Sequence, residues 1–275
     1  MKNNFFKIDD NFEKIIINTL KNKKIKNINQ ISTGWTNIVF EVETDDKNYF
    51  FRFPRDEFWA RTIIKDYEFA NYIYKKTEFN TSNLKLYYDD GRAYSVHEKI
   101  TGIPLAKKMN SLTQNEIENI ANDIAKFMYE LHNINYDEKE VFNTKNIGLK
   151  LTEFLNELLF LHVSEKDREF WQIDKIDYKC ENLVHGDLNP SNVLLDENNR
   201  VTAIIDFGFG GFGDKYDDIS RIIGRCPPDF KNQIIKSYEI YSNKELNAEI
   251  LNDKIEKWNN IDNGYINYMK TIGIY

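Results

Sequence analysis

The stretch His185-Gly186-Asp187-Leu188-Asn189-Pro190-Ser191-Asn192, followed after a short interval by Ile205-Asp206-Phe207, decides how the rest of the chain is read. Reduced to its polar positions it spells H-x-D-x-x-x-x-N and then I-D-F. Asn192 lies five positions beyond Asp187, so one loop can aim the carboxylate one way and the amide oxygen another. Asp206 arrives on the next hairpin, about one strand length further on. Around these residues, Leu183-Val184, Val193-Leu194-Leu195 and Val201 to Ile205 are short apolar runs divided by polar turns. Such brief strands predict a platform that bears loops.

Oxygen-bearing side chains in this spacing suit phosphoryl transfer. That reaction asks for a carboxylate to orient a hydroxyl, oxygen ligands for magnesium, and neutralisation of phosphate charge. Asp187 meets the first need, and Asn192 and Asp206 meet the second, since magnesium prefers hard oxygen ligands shared with nucleotide phosphates and water. Other chemistries find no support. No glycine is followed by Lys, which excludes a Walker A loop. No G-x-S-x-G elbow exposes a nucleophilic serine. His97, His132 and His162 have no metal-ligand companions at suitable spacing and read as ordinary residues.

Working outward, residues 1–100 predict a lobe of their own. Asp9 or Asp10 is expected to cap a helix reaching Leu20. Ile25 to Thr33, Thr36 to Thr44, Asn48 to Phe53, Leu84 to Tyr88 and Ala93 to Ile100 carry β-branched and aromatic residues between turns such as Asp89-Asp90-Gly91. They predict a five-stranded, mostly antiparallel sheet, crossed by a helix from Phe58 to Lys76. After Gly102-Ile103-Pro104 the pattern becomes helical over 101–275, and Thr113-Gln114-Asn115-Glu116 is a capping box opening a helix to Leu131. The tail from Pro227 predicts three helices. The fold class is therefore α+β in two lobes, 1–100 and 101–275.

Composition narrows the setting. Among 275 residues the net charge is -7, and the acidic excess falls beyond residue 100. An acidic surface repels phosphate backbones, so nucleic acid is not an expected partner, whereas a cationic small molecule would be attracted. The two cysteines, Cys180 and Cys226, are too few for a disulfide framework or a zinc site. No apolar run approaches the roughly 18 residues of a membrane span. The first twenty residues mix charges into apolar positions, unlike a secretory signal. A cytoplasmic protein, monomeric or weakly dimeric and free of membrane, is expected.

Taken together, these motifs resemble the aminoglycoside phosphotransferase and choline kinase superfamily, whose members share the protein kinase fold. Gly213-Asp214 with Asp218-Ile219-Ser220 is similar to the family's G-D-x-x-x-D stretch, and the lobe order agrees along nearly the whole chain. Protein kinases themselves fit less well: Gly186 replaces the Arg of their H-R-D loop, no A-P-E follows Asp206-Phe207-Gly208, and only 69 residues remain after Asp206.

The resemblance implies roles. Asp187 would be the catalytic base, with Asn192 and Asp206 on Mg2+ and Asp218 a buttress for the loop braced by His185. Ser32, Thr33 and Gly34 would cover the phosphates of ATP or GTP. Arg52, where the family carries Lys, would bind phosphate and pair with Glu68, with Glu57 the competing partner, while backbone groups of Glu98 and Ile100 would hold the base. Asp214, Asp217, Glu239, Trp258 and Tyr265 are candidates for the acceptor side. Phe51-Arg52-Phe53-Pro54 and the closing segment look most like the branch that phosphorylates the 2″-hydroxyl of kanamycin-type aminoglycosides, in antibiotic resistance. Choline, ethanolamine or another metabolite alcohol is the alternative acceptor, and a catalytically silent binding module is a third reading.

Overall fold

The structure, a computed structural model, describes residues 5–8, 10–31, 36–74, 76–81, 83–136, 150–162 and 181–271. Five strands, β1 (Ile25–Ile31), β2 (Asn37–Thr44), β3 (Asn48–Pro54), β4 (Lys85–Asp89) and β5 (Arg92–Glu98), form one sheet in the order β1-β2-β3-β5-β4. Every neighbouring pair is antiparallel. The hairpin between β4 and β5 turns at Asp90 (φ 50°) and Gly91 (φ 84°). Two successive left-handed residues match the right-handed twist of the flanking strands, which is why Asp-Gly stands there. Helix α1 (Phe12–Thr19) lies before the sheet and is capped by Asn11, whose side chain accepts from Lys14 N, rather than by Asp9 or Asp10. Alternation along β3 points Phe51 and Phe53 into a core with Phe6, Phe12, Ile16 and Tyr94, and leaves Arg52 on the opposite face.

Helix α2 (Glu57–Ile73) connects β3 to β4 and starts at the N-cap Asp56, which accepts from Trp59 N. Its buried side chains do not join the sheet's core. Phe69, Ala70 and Ile73 belong to the core of the helical lobe, with Phe127, Leu188 and Phe207. Phe58 and Trp59 pack with Phe154, Leu155 and Trp258 in a second cluster of that lobe. Thus α2 is sequestered between the lobes and carries side chains to their seam.

The larger lobe contains α3 (Leu105–Lys108), α4 (Gln114–His132), α5 (Leu151–His162), α6 (Lys215–Ile223), α7 (Pro228–Ser242) and α8 (Ala248–Thr271). The predicted capping box of α4 forms: Glu116 N donates to Thr113 Oγ1, and Thr113 N to Glu116 Oε2 (2.7 Å). Short strands β6 (Ile103–Pro104), β7 (Asn182–Val184), β8 (Val193–Leu195), β9 (Val201–Ile204) and β10 (Gly211–Gly213) make the sheets β6-β8-β9 and β10-β7, which present the loops of the central motif. Where three tail helices were expected, the described residues from Pro227 onward form two, α7 and α8. Residues 248–271 contain no proline, and the single Gly264 does not interrupt a helix packed on α6.

Candidate active site

The loop after β7 is fixed from beneath. Asp218, on α6 and fully buried, accepts from His185 N (2.7 Å) and Gly186 N (2.8 Å), and its Oδ2 is 3.2 Å from His132 Nε2. Burial alone would raise the Asp218 carboxyl, but hydrogen bonding and charge from His132 and His185 more than offset it and hold the group below its ordinary value. His185 Nε2 lies 3.0 Å from Ile205 O, which fastens the loop to the strand leading to Asp206. Gly186 takes φ 76°, and a Cβ there would lie 2.4 Å from Phe209 O, so only glycine fits. Here the structure bears the weight that sequence assigned to Asp218 and His185: both brace the loop.

Asp187, Asn192 and Asp206 line one cleft of about 1210 Å3 between the lobes, together with Arg52. Asn192 Nδ2 donates to Asp187 O (2.9 Å), which leaves its amide oxygen with no hydrogen bond from a described residue. Asp206 is left-handed (φ 68°), a strained setting for a side chain other than glycine. Its Oδ1 accepts from Arg52 Nη2 (3.1 Å), while Oδ2 takes no hydrogen bond from a described residue and the side chain is 45% exposed. Two hard oxygens facing one cleft fit a magnesium ion that completes its shell with phosphate and water. Both sit where β8 and β9 place them, across a ladder pairing Val193 with Ile204.

Arg52 comes from β3, paired with Val39 and Ser95. Its partner on α2 is Asp66, not Glu68: Nη1 donates to Asp66 Oδ2 (2.5 Å), and Asp66 Oδ1 accepts from Phe207 N (3.0 Å). Positions two apart on a helix point to nearly opposite sides, and Asp66 shares the inward stripe with Thr62, Ile63, Phe69 and Ala70. Burial disfavours the Arg52 charge, yet Asp206 and Asp66 outweigh it and hold the guanidinium protonated. The same burial raises the Asp66 carboxyl. The aromatic and apolar side chains Phe50, His97, Met109 and Ile205 line the cleft near this strand. Burial, with Arg52 nearby, takes the His97 imidazole down to about 4, so it is neutral at ordinary pH. Glu98 and Ile100 line a separate groove with Lys47 and Gly102, and the Glu98 side chain pairs with Lys47 (2.6 Å). Ser32, Thr33 and Gly34 fall outside the described residues; Thr36 and Asn37 beyond them reach the cleft.

On the far side stands a network that no sequence motif announced. Arg221 of α6 donates to Asp187 Oδ1 from both Nε (3.0 Å) and Nη2 (2.6 Å), and from Nη1 to Asp262 Oδ1 of α8 (2.8 Å). Its guanidinium covers the Trp258 ring at 4.4 Å. Arg225 donates to Asp262 Oδ2 and approaches Asp187 Oδ1 at 3.8 Å. The signal available in the sequence was the four-residue step from Arg221 to Arg225, one face of a helical turn, opposite an acid in the tail. Trp258 and Tyr265 line the cleft. The acids proposed beside them do not. Asp214 caps α6 by accepting from Tyr216 N (3.0 Å), Asp217 is fully buried against Lys254 (2.7 Å), and Glu239 accepts from Leu246 N (2.8 Å) past the end of α7. All three are engaged at helix ends and in packing.

Solved structures of known proteins resemble this fold. The GDP and kanamycin complex of APH(2″)-IIia superposes with a TM-score of 0.67 at 20% identity, over 91% of this chain and 88% of that one. The streptomycin–ATP ternary complex of APH(2″)-IIa gives 0.66 at 19% identity, over 94% and 90%. The macrolide 2′-phosphotransferase MphH from Brachybacterium faecium gives 0.64 at 14% identity, over 95% and 93%. Likeness at such identity establishes a shared two-lobe fold. Residues 27–243 in turn match the sequence family described as the phosphotransferase enzyme family. With that match spanning most of the chain, the chain belongs to the phosphotransferase enzyme family.

Proposed function

We propose that this enzyme transfers the terminal phosphoryl group of ATP or GTP to a hydroxyl of a small molecule, with Asp187 as the base. The convergence of Asp187, Asn192, Asp206 and Arg52 on one cleft carries this reading. Asp187 Oδ1 is held by Arg221, and Oδ2 takes no hydrogen bond from a described residue, so Oδ2 is the atom that orients the acceptor hydroxyl. The acceptor oxygen forms its bond to phosphorus as the bond to the bridging oxygen breaks; the hydroxyl proton passes to Asp187 and the nucleoside diphosphate departs. Arg52, fixed by Asp66, offers a fixed positive charge to the phosphates. Asn192 and Asp206 would hold magnesium, which supplies charge neutralisation at the phosphates.

Aminoglycosides are the acceptor class that the resemblance brings, since kanamycin, gentamicin and streptomycin occupy neighbouring structures. Choline-type amino alcohols are served less well, because the Trp258 face that would attract a quaternary ammonium is already covered by Arg221. Replacing Asp187 by Asn tests the role of the base. Turnover is expected to fall at least a thousandfold while nucleotide affinity, followed by fluorescence or calorimetry, stays within about twofold. A variant that keeps the parental rate removes Asp187 from the reaction.

A further inference from the structure

The acceptor side of the cleft departs from what a polycation needs. Ammonium groups are recognised by unpaired carboxylates, and among the described residues two carboxylates stand on this wall, Asp187 and Asp262. Three of their four oxygens are approached by guanidinium groups: Asp187 Oδ1 by Arg221 and Arg225, Asp262 Oδ1 by Arg221, and Asp262 Oδ2 by Arg225. Among the described residues lining the whole cleft, Arg52, Arg221 and Arg225 balance Asp187, Asp206 and Asp262. Besides Asp187 Oδ2, which faces the acceptor hydroxyl, two donors on this wall are left unmatched. Arg225 Nη1 and Trp258 Nε1 are buried with no hydrogen-bond partner, and Trp258 is only 4% exposed. A buried donor without an acceptor costs about 1–3 kcal/mol, a cost a ligand oxygen would remove. An ammonium group, which brings only donors, would leave it in place.

We infer that the acceptor is a net-neutral, oxygen-rich alcohol of the sugar type, and that the Arg221–Asp262–Arg225 cluster disfavours polycationic acceptors. This rests on the phosphotransfer reading above and narrows its acceptor away from the aminoglycoside expectation. Ether, hydroxyl or carbonyl oxygens of such a molecule would meet Arg225 and Trp258, while its apolar faces would lie against Leu155, Ile261 and Tyr265. Discrimination by donor and acceptor pattern is strong, because the wrong partner leaves buried polar groups unpaired.

The test separates charge from shape. Kanamycin A, its fully N-acetylated and uncharged derivative, and maltotriose are compared with the full chain, magnesium and nucleotide, for turnover. Binding is measured separately with a non-hydrolysable nucleotide in place. At least one of the two uncharged compounds is expected to bind, and to react, at least tenfold better than kanamycin A. Arg225→Glu is expected to move that ratio at least tenfold toward kanamycin A with nucleotide KM unchanged, and Arg225→Gln to fall between. Tighter binding of kanamycin A by the parent, equal binding of all three, or binding of none overturns the inference. Phosphorylation of kanamycin A at the higher efficiency would do so while leaving the phosphotransfer reading intact. Loss of nucleotide-dependent transfer to every acceptor, together with an indifferent Asp187→Asn variant, would instead remove the reading beneath it.

Discussion

Asp217 is fully buried at the start of α6, and burial, partly offset by Lys254, pushes its carboxyl up to about 6 from 3.8. The folded protein therefore keeps a proton that the unfolded chain releases between those values. Its contribution to stability is complete below the unfolded value and is lost as pH rises through about 6. Asp217→Asn removes that dependence. The unfolding free energy of the variant, relative to the parent, is expected to improve by on the order of 2 kcal/mol from about pH 4 to about pH 7, read by urea denaturation at both. A constant difference would show that Asp217 is charged in the fold at both pH values. Single residues were legible in the sequence where a motif fixed their spacing, as with Asp187, Asn192, Asp206 and Asp218. They were not where helical phase decided. Counting from Arg52 reached Glu68, but only the rotation of α2 tells which acid faces inward, and Asp66 does. Arg221 and Arg225 offer only their four-residue step, since their role comes from Asp262 arriving from a helix about forty residues later.

Among the elements, the loop from His185 to Asn192 is shaped by one backbone angle. Gly186→Ala would force a Cβ to within 2.4 Å of Phe209 O at φ 76°, adding contact with backbone to the roughly 1–2 kcal/mol of a left-handed L-residue. Turnover is expected to fall at least tenfold and the melting temperature by several degrees; an alanine variant with parental values would show the loop relaxes freely. The elements themselves follow from sequence where patterns run long. Five sheet strands, α2 and the α4 capping box lie where alternation, periodicity and turn residues place them. Strands of two or three residues, β6 and β10, are too short to show a period, and their existence depends on partners far along the chain. The expectation of three tail helices failed for a related reason: packing of α8 on α6 holds together 24 residues of modest helix preference.

At the scale of the molecule, the two cores do not divide where the helical pattern begins. The sheet's core draws on residues from Phe6 to Val96, yet Phe58, Trp59, Phe69, Ala70 and Ile73 of α2 lie in the clusters of the large lobe. Asp66 adds a hydrogen bond across the seam to Phe207. A fragment of residues 1–100 is therefore expected to lack a cooperative thermal transition, because Phe58, Trp59, Phe69 and Ile73 would face water and could not offset the entropy of ordering. Circular dichroism of the fragment checks this, and sharp melting near the temperature of the full chain would contradict it.

The allegiance of α2 also bears on how relatives of this enzyme can be recombined. A chimera spliced at residue 100 would separate Asp66 from the Phe207 amide and Trp59 from Trp258, bringing together surfaces that never evolved side by side. The exchangeable cassette is instead discontinuous, with joints before Asp56 and after Asn80, so that the recipient keeps its own crossing helix and imports the sheet alone.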